Sequence, residues 1–503
     1  MLGLIFEKIN GYRDGSYFTP GHITMYMSRY IIRKAVVDKI NEVKGWNCKD
    51  IYEVQFRITS LDEAKEISGI IDTIKICDPA VGSGHFLVSV LNELIAIKSE
   101  LRVLIDTEGR SMNDIRCTVV NDELVIQDMN GDNFTYRKGN PESERIQKAI
   151  FHEKRKLIEN CLFGVDINPN SVNICRLRLW IELLKSSYYY HDEESNTQQL
   201  ITLPNIDINI KVGNSLLHKF GIHDSLDKRF SELKNYTQLV SEYKGANDKR
   251  KKQDLMKQID EIKKRFLSSI ETPESRRVKR LNRKLALVGQ TNLFASDEDV
   301  KKQRKEFAEI EKKLKEAIAD LEYSRQNPLF RKGLEWRMEF PEVLDDEGNF
   351  VGFDVVIANP PYIYSSDGAF SESEKRYFET KYPLCKYQAN TFGLFLELSF
   401  KILRKNGYCS MIIPNTFLTI GQYDTLRRYI LEHTGDVFII NSHDKIFEDA
   451  SVDNCIVNFK MSSPNTVVLA ELINEEVCIV NKVTPDQLLR FSVINISSTR
   501  GAS

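Results

Sequence analysis

Apolar and polar positions follow two periods along this chain. Apolar side chains recur at helical spacing in four segments: 20–45, 86–100, 170–184 and 392–403. Short continuous apolar runs indicate buried strands: 70–77, 162–166, 352–358, 407–414, 437–441 and 454–459. Strands that alternate with helices are typical of an α/β protein with a doubly wound parallel sheet. We therefore expect an α/β fold of this kind.

Two segments interrupt the sheet pattern. Residues 114–137 predict a short β-hairpin that turns at Asn121-Asp122. Residues 225–330 are polar, and their apolar positions recur at helical intervals, which predicts a helical hairpin inserted into the sheet domain. Between 244 and 284 we count fifteen Lys or Arg against six Asp or Glu. Two interpretations stay open: solvated helical faces, or a basic arm that contacts DNA.

Composition limits the class of protein. The chain has 503 residues, enough for two or three domains, and its net charge of −2 means that any nucleic-acid contact must come from local patches. Nine cysteines without a Cys-x-x-Cys pair argue against a disulfide framework and against a zinc site. We see no signal peptide and no apolar run of eighteen residues. We therefore expect a cytoplasmic protein with no metal and no membrane partner.

A glycine-rich turn follows the first predicted strand. Residues 78–86 have the sequence DPAVGSGHF and lead directly into a predicted helix. Glycines at such a corner let the backbone approach a ligand, and the helix N-terminus offers free N–H groups. A nicotinamide dinucleotide site would need a third glycine where Leu87 stands. We therefore predict a ligand site, but not a site for that cofactor.

Polar residues follow the next two strands. Asp166 ends the strand 162–166, where a carboxylate can accept both hydroxyl hydrogens of a ribose. Asn214, in the segment IKVGNSL, can hydrogen-bond the edge of an adenine ring, although Gly-Asn-Ser is also an ordinary turn. Together with the glycine-rich turn, these residues predict a nucleoside-containing cofactor.

The sequence Asn359-Pro360-Pro361-Tyr362 follows the buried strand 352–358 and carries the chemistry. Two prolines extend the backbone and remove two N–H donors, so the loop presents only acceptors: the Asn359 side-chain oxygen and a carbonyl, for which we favour Pro360. Two acceptors can hold both N–H bonds of a planar amine and concentrate its lone pair for attack on a methyl group. Tyr362 adds an aromatic face on which a base can stack.

These motifs resemble the amino-methyltransferases of the class I S-adenosylmethionine-dependent family, specifically the gamma group of N6-adenine DNA methyltransferases. The order of motifs matches that group: Thr19-Pro20 first, then the glycine turn, then Asn359 to Tyr362. Residues 6–12 (FEKINGY) and 336–341 (WRMEFP) look like the long methylases of type IIG restriction–modification and BREX phage-defence systems. The resemblance covers about residues 4–460. It implies a Rossmann-like methyltransferase sheet.

The resemblance also implies residue roles and partners. S-adenosyl-L-methionine would be the cofactor, and duplex DNA with a flipped-out adenine would be the substrate. Other restriction–modification or defence subunits are further expected partners. Tyr362 and Phe447 would stack on opposite faces of the adenine. The residues that would line the cofactor are Thr19, Asp78, Pro79, Ala80, Gly82, Gly84, Phe86, Asp166, Ile167 and Asn214.

The expected organisation has five parts: an N-terminal helical segment (1–60), the cofactor-binding half (61–224), the charged insertion (225–330), the catalytic half (331–465) and the start of a truncated, β-rich target-recognition region (466–503). We find no convincing nuclease motif. The chain is expected to be a methylase core, a fragment or one subunit of a larger system. Alternatives are a protein-glutamine or RNA amino-methyltransferase and a non-catalytic DNA-binding defence subunit.

Overall fold

A computed structural model describes most of the chain. The described residues are 19–192, 197–201, 209–223, 233–246, 248–269, 273–289, 297–326, 328–364, 368, 370–385, 390–442, 446–447 and 453–496. Residues 6–12 and 17–18, which carry part of the family resemblance, lie outside this set.

Helices and strands alternate through most of the described chain. The helices are α1 (Gly21–Lys44), α2 (Ile51–Arg57), α3 (Leu61–Ile71), α4 (His85–Glu100), α5 (Pro141–Cys161), α6 (Pro169–Leu184), α7 (Leu233–Gly245), α8 (Lys249–Ser269), α9 (Pro273–Val288), α10 (Asp297–Gln326), α11 (Trp336–Glu339), α12 (Glu372–Lys381), α13 (Thr391–Ile402), α14 (Thr416–Thr419), α15 (Asp424–His433) and α16 (Pro485–Leu489). The strands are β1 (Ile76–Asp78), β2 (Ile115–Val120), β3 (Glu123–Asp128), β4 (Leu162–Asp166), β5 (Tyr189–Asp192), β6 (Thr197–Leu200), β7 (Ile210–Val212), β8 (Phe353–Ala358), β9 (Leu403–Pro414), β10 (Gly435–Ser442), β11 (Asn454–Lys460), β12 (Val467–Ile473) and β13 (Glu476–Val483).

Nine strands form one mixed sheet in the order β13-β12-β10-β11-β9-β8-β1-β4-β7. The run from β9 through β8, β1 and β4 to β7 is parallel, as the doubly wound pattern predicted. Strand β11 is antiparallel to both β9 and β10, so the sheet is mixed and the run of parallel strands from β7 ends at β9. No helix lies among the described residues between β10 and β11, and a connection without a crossover helix favours antiparallel pairing.

Two hydrophobic cores cover the two faces of the sheet. One core joins α1, α3, α4 and α5 to one face and includes residues such as Ile32, Leu91 and Ile357. The other core joins α13 and the aromatic side chains around α11 to the opposite face. Side chains of β8 therefore point alternately into the two cores, which explains its continuous apolar sequence.

The predicted strand at 70–77 was wrong in its first part. Ile70 and Ile71 instead end α3, whose buried side chains include Ala64 and Ile67 at helical spacing. The Ser60 side chain caps this helix by accepting from Glu63 N at 3.2 Å. The strand proper is the three-residue β1, which follows a short polar turn that contains Asp72 and Thr73.

The charged insertion contains four helices, α7 to α10, rather than the single helical hairpin that the sequence predicted. Its base is tied to the residues before β8 by ion pairs: Lys244 Nζ lies 2.7 Å from Glu342 Oε1, and Lys263 Nζ lies 2.8 Å from Glu339 Oε2. Burial would raise the pKa of Glu342, but Lys244 beside it lowers that pKa below its ordinary value. The insertion is therefore anchored to the sheet domain by charge pairs.

The C-terminal strands belong to the main sheet. Strand β12 pairs in parallel with β10, and β13 pairs antiparallel to β12. Residues 467–483, which the sequence analysis assigned to a C-terminal region, therefore extend the main sheet. A β-rich sequence is the same at a sheet edge as in a new domain, so only the strand pairing decides between the two.

Within the described residues, no helix is both long and apolar enough to cross a membrane. The same residues contain no group of three His, Cys, Asp or Glu side chains that could hold a metal ion.

Candidate active site

The predicted site residues follow the carboxyl ends of neighbouring parallel strands. Asp78 ends β1, Asp166 ends β4, Asn214 follows β7 and Asn359 follows β8. The chain runs from β1 outward to β4 and β7, and then returns to place β8 on the other side of β1. This reversal between β1 and β8 is the topological switch point where open α/β sheets bind their ligands.

The glycine-rich turn between β1 and α4 has the backbone shape that only glycine adopts easily. Gly82 has φ +50° and Gly84 has φ +81°, both in the left-handed region. Asp78 Oδ1 accepts from Ala80 N at 3.0 Å, which tightens the turn. Gly84 is the residue that precedes the first turn of α4, so the free N–H groups of this helix face the turn.

Asp166 ties β4 to this turn. Its Oδ2 accepts from Gly82 N at 3.0 Å, and its Oδ1 accepts from Asn168 N at 2.7 Å. A carboxylate has about four acceptor positions, two on each oxygen. These acceptors fit the two hydroxyl groups of a ribose. Ile167 beside it is 54% exposed, as an apolar surface for a ligand would be.

Three other predicted cofactor residues, Pro79, Asn214 and Phe86, differ in their contacts. Pro79 accepts through its carbonyl from Ser215 Oγ at 2.6 Å, which joins the glycine turn to the segment after β7. Asn214 Oδ1 accepts from Leu216 N at 3.0 Å, so its side-chain oxygen caps its own turn. Phe86 is buried in the hydrophobic core, where its contribution is packing.

Asn359 is held by a residue from the other end of the sequence. Its Nδ2 donates to Thr19 Oγ1 at 3.0 Å across 340 positions of chain. The bond fixes the rotation of the amide, with its nitrogen towards Thr19 and its oxygen on the opposite side. Thr19 is buried and Asn359 half-buried. The structure therefore brings together two motifs that the sequence analysis assigned to separate roles.

The proline loop after β8 is clamped by the start of α13. Thr391 Oγ1 donates to the Pro361 carbonyl and accepts from Ile363 N at 2.9 Å. The Pro361 carbonyl is thereby committed to the protein. Among the described residues, no donor contacts the Pro360 carbonyl. Of the two proline carbonyls, that of Pro361 thus has a donor among the described residues and that of Pro360 does not.

Tyr362 is fixed at its hydroxyl end. The hydroxyl donates to the Ile412 carbonyl at 3.2 Å and accepts from Asn454 Nδ2 at 3.2 Å. The Phe447 ring lies 6.4 Å from the Tyr362 ring, centroid to centroid, with 70° between the ring planes. This edge-to-face contact leaves no parallel slot for a base, so stacking between the two rings requires one of them to move.

Asp122 was missed as a site residue by the sequence analysis. It lies in the β2–β3 turn at φ +63° and inserts between α1 and α4. Its carboxylate accepts from Ser89 Oγ at 2.5 Å, from His85 Nε2 at 2.8 Å and from Thr24 Oγ1 at 3.3 Å. The hairpin thus joins the helix after Thr19 to the helix after the glycine turn. No signal in the sequence distinguishes this Asp from an ordinary turn residue.

Cysteine chemistry is disfavoured at this site. Two thiols next to the glycine-rich turn, Cys77 in β1 and Cys175 beside Gly84, are buried. Burial raises the pKa of both thiols, and the carboxylate of Asp78 raises it further. Both groups therefore stay protonated at neutral pH and are poor nucleophiles.

Substitution of Gly84 by alanine will both weaken cofactor binding and destabilise the fold. A Cβ at this position would lie 2.5 Å from Cys175 Sγ and 3.3 Å from the Cys175 Cα, and the backbone is left-handed. A left-handed non-glycine residue costs about 1–3 kcal/mol before any clash. Urea unfolding and calorimetric titration with S-adenosylmethionine measure the two effects.

Gly45→Ala is the matched control for this prediction. Gly45 also has a left-handed φ, +65°, but a Cβ there meets nothing within 4 Å. The control should lose stability from backbone strain alone and bind cofactor as the wild type does. Equal losses in the two variants would contradict a role for the close approach between Gly84 and Cys175.

Comparison with known proteins identifies relatives of this site. Residues 160–447 match the Eco57I restriction-modification methylase family. A Methanocaldococcus jannaschii protein named as a type II restriction enzyme and methyltransferase is 26% identical over 93% of this chain and 38% of its own length. The adenine-specific methyltransferase BrxX of Escherichia coli O9:H4 is 26% identical over 18% of this chain and 7% of its own length.

Among solved structures, the type IIL restriction-modification enzyme MmeI in complex with DNA aligns with a TM-score of 0.42 and 11% identity, over 94% of this chain and 41% of MmeI. The chain thus spans about two fifths of the length of the Methanocaldococcus relative and of MmeI. The family match covers more than half of the chain and includes β4, β7, β8 and the proline loop. This chain belongs to the Eco57I restriction-modification methylase family.

Proposed function

We propose that this chain transfers a methyl group from S-adenosylmethionine to the exocyclic N6 amine of an adenine flipped out of duplex DNA. The observation that carries the proposal is the Asn359 amide, fixed by Thr19 beside the Pro360 carbonyl at the switch point of the sheet. Two acceptors at adjacent positions match the two N–H bonds of an aromatic amine.

Membership in a methylase family implies S-adenosylmethionine as the cofactor. When bound, it supplies a methyl group on a positively charged sulfur, which is electrophilic. The residues that would hold it are Asp166 at the ribose, the glycine turn 78–84 at the methionine end and Asn214 near the adenine. The acceptors of Asp166 and the open backbone at Gly82 and Gly84 support this assignment.

The chain's own groups would position the amine. Asn359 Oδ1 and the Pro360 carbonyl would each accept one N–H bond, and this pulls the nitrogen towards tetrahedral geometry and directs its lone pair. Tyr362, fixed at its hydroxyl, would stack on the base and contribute about 1–3 kcal/mol to binding. Phe447 would stack on the other face after it moves out of its contact with Tyr362.

The domain assignment follows the same proposal. Residues 61–224 would form the cofactor-binding half and residues 331–465 the catalytic half, with the N-terminal segment 1–60 supplying Thr19. The chain would act within a restriction–modification or phage-defence system, as the names of its relatives suggest. Sequence reading would come from protein outside the catalytic halves, in this chain or in a partner.

Transfer of labelled methyl groups tests the proposal. The purified chain is incubated with labelled S-adenosylmethionine and, separately, adenine-containing duplex DNA, ribosomal RNA and a peptide-chain release factor. We expect label in the DNA, recovered as N6-methyladenine after digestion to nucleosides. Label only in the RNA or the release factor would contradict the proposal and favour an RNA or protein-glutamine methyltransferase. Duplex binding without any label would favour a non-catalytic subunit.

A further inference from the structure

One helix of the charged insertion differs from its neighbour in charge. Helix α9 carries six Lys or Arg and one acid, Glu274, in 16 residues. Its hairpin partner α10 carries eight Lys or Arg and nine Asp or Glu in 30 residues. A balanced helix needs no external partner for its charges, whereas α9 carries a strong excess of positive charge.

Helix α9 packs against α10 through one face. Its half-buried apolar side chains recur at spacings of three and four: Val278, Leu281, Leu285 and Val288. The two helices run antiparallel, since Arg277 Nη1 lies 3.0 Å from Asp320 Oδ2 and Gln303 Nε2 donates to the Val288 carbonyl at 2.6 Å. Packing against α10 therefore accounts for the apolar side of α9 and for one of its cations.

Four of the five remaining cations form what we call the basic face of α9: Arg276, Arg280, Arg283 and Lys284. The fifth, Lys279, lies outside their arc. These four exposed side chains fall within an arc of about 100° on a helix of 3.6 residues per turn. Among the described residues, no carboxylate lies within ion-pair distance of any of the four. The basic face is thus a compact row of cations that no carboxylate of the described residues neutralises.

The α9–α10 hairpin that carries the basic face is connected to the edge of the sheet at β7, near the candidate cofactor residues Asp166 and Asn214. Helix α10 leads towards the short 3-10 turn Pro328–Lys332, and the Lys332 carbonyl accepts from Asn214 N at 2.6 Å. Asn214 follows β7, one strand away from Asp166. The segment that follows the α9–α10 hairpin therefore contacts the candidate active site directly, at Asn214.

We propose that the basic face of α9 binds the phosphate backbone of the duplex whose adenine enters the active site. Arg276 to Lys284 spans about 12 Å of helix at 1.5 Å per residue. The duplex carries one charge per about 1.7 Å of its axis, which supplies more phosphates over that length than the four cations need. The proposal rests on duplex DNA being the substrate.

The composition of α9 favours a duplex over a single strand. Single-stranded nucleic acids are bound on aromatic side chains that stack with the bases, and α9 contains no aromatic residue. Phosphate contacts from Arg and Lys carry no sequence information but set affinity and register. The basic face would therefore strengthen binding to all duplexes alike.

The salt dependence of binding tests this inference. The variant replaces all four residues of the basic face (R276Q/R280Q/R283Q/K284Q), and binding of the full chain to a fluorescent duplex is measured across a series of KCl concentrations. The slope of log K against log salt is negative, and each lost phosphate contact reduces its magnitude by about 0.9. We expect the slope to fall by about 2–4 and affinity at about 0.1 M salt to fall at least tenfold.

A control variant on α10 removes the same net charge. Arg304, Lys305, Lys312 and Lys313 are also exposed, but they lie on the balanced helix. The control R304Q/K305Q/K312Q/K313Q should change the slope by less than about 1. Both variants should bind S-adenosylmethionine and unfold thermally as the wild type does, because neither set of side chains is buried.

The outcomes separate this inference from the proposed function. A wild-type chain that methylates duplex DNA, with an unchanged salt slope in the α9 variant, would overturn the inference alone. Equal slope losses in the α9 and α10 variants would also overturn it, because general charge would then explain binding. A wild-type chain that neither binds nor methylates duplex DNA would overturn both. If the α9 variant lost binding to RNA but kept its binding to duplex DNA, the basic face would be an RNA-binding surface, which would also overturn the inference.

Discussion

Replacement of Asn359 by alanine will lower methyl transfer to duplex DNA by about 10²- to 10³-fold, the usual effect of removing one preorganised polar group from a reaction centre. Alanine keeps the loop backbone but removes the oxygen that would accept an N–H bond of the amine. It also removes the Nδ2 group that donates to Thr19. Cofactor binding should persist, because hydrogen bonds that do not involve Asn359 hold the glycine turn and Asp166 together.

The measurement is single-turnover methyl transfer beside calorimetric titration of the cofactor. Asn359→Asp is the matched variant, since a carboxylate keeps the acceptor oxygen and changes the group that faces Thr19 from donor to acceptor. The Thr19 hydroxyl can then donate instead, so the aspartate variant should retain more activity than the alanine variant. Wild-type rates in Asn359→Ala would refute the assigned role of this residue.

Replacement of Lys98 by methionine will destabilise the protein by about 3–5 kcal/mol, the range for breaking a buried ion pair from one side. Lys98 is fully buried in α4, where its Nζ lies 2.5 Å from Asp72 Oδ1 and also pairs with Glu153 of α5. The Glu153 side chain is only 4% exposed. Loss of the lysine therefore leaves a buried carboxylate without the positive charge that offsets its loss of hydration. Unfolding in urea measures the loss.

Lys156→Met is the control for this prediction. Lys156 pairs with the same two carboxylates, at 3.1 Å from Asp72 and 3.2 Å from Glu153, but its side chain is 44% exposed. Water screens an exposed pair, so the control should lose about 1 kcal/mol or less. Equal losses in the two variants would contradict the importance of burial.

The decrease in the free energy of unfolding caused by Lys98→Met also depends on pH. Burial alone would raise the pKa of Glu153, but Lys98 and Lys156 together lower it below its ordinary value of 4.5. A depressed pKa contributes stability above the ordinary value and loses it as pH falls through the folded value. The difference between wild type and variant should therefore be largest near neutral pH and shrink below about pH 4.5. Unfolding curves between pH 3 and pH 7 test this direction.

The sequence predicted the local parts of the site well. The glycine turn, the strand that ends at Asp166 and the strand that ends at Asn359 each occupy a few consecutive residues, and the structure has them as expected. The hairpin turn at Asn121-Asp122 was also predicted, and both residues are left-handed. Such motifs depend on backbone preferences and short-range hydrogen bonds, which neighbouring residues determine.

Predictions failed where one pattern is compatible with two structures. The apolar run at 70–77 fits a strand, yet a capped helix occupies its first residues. The β-rich residues 467–483 fit a separate C-terminal region, yet their strands extend the main sheet. Helix α5, between the hairpin and β4, was not predicted. Tertiary contacts decided each case, because burial against the core outweighs weak local preferences.

By itself, the sequence determined the α/β class, the order of the motifs and the residue types that a methyl transfer to an amine requires. Tertiary structure alone decided which motifs meet. The bond between Thr19 and Asn359 joins residues 340 positions apart, and Asp122 reaches three side chains on two helices. It also decided that the Pro361 carbonyl is committed to Thr391 while four cations of α9 face outward. Contacts over such separations depend on strand order and helix packing, which no short stretch of residues encodes.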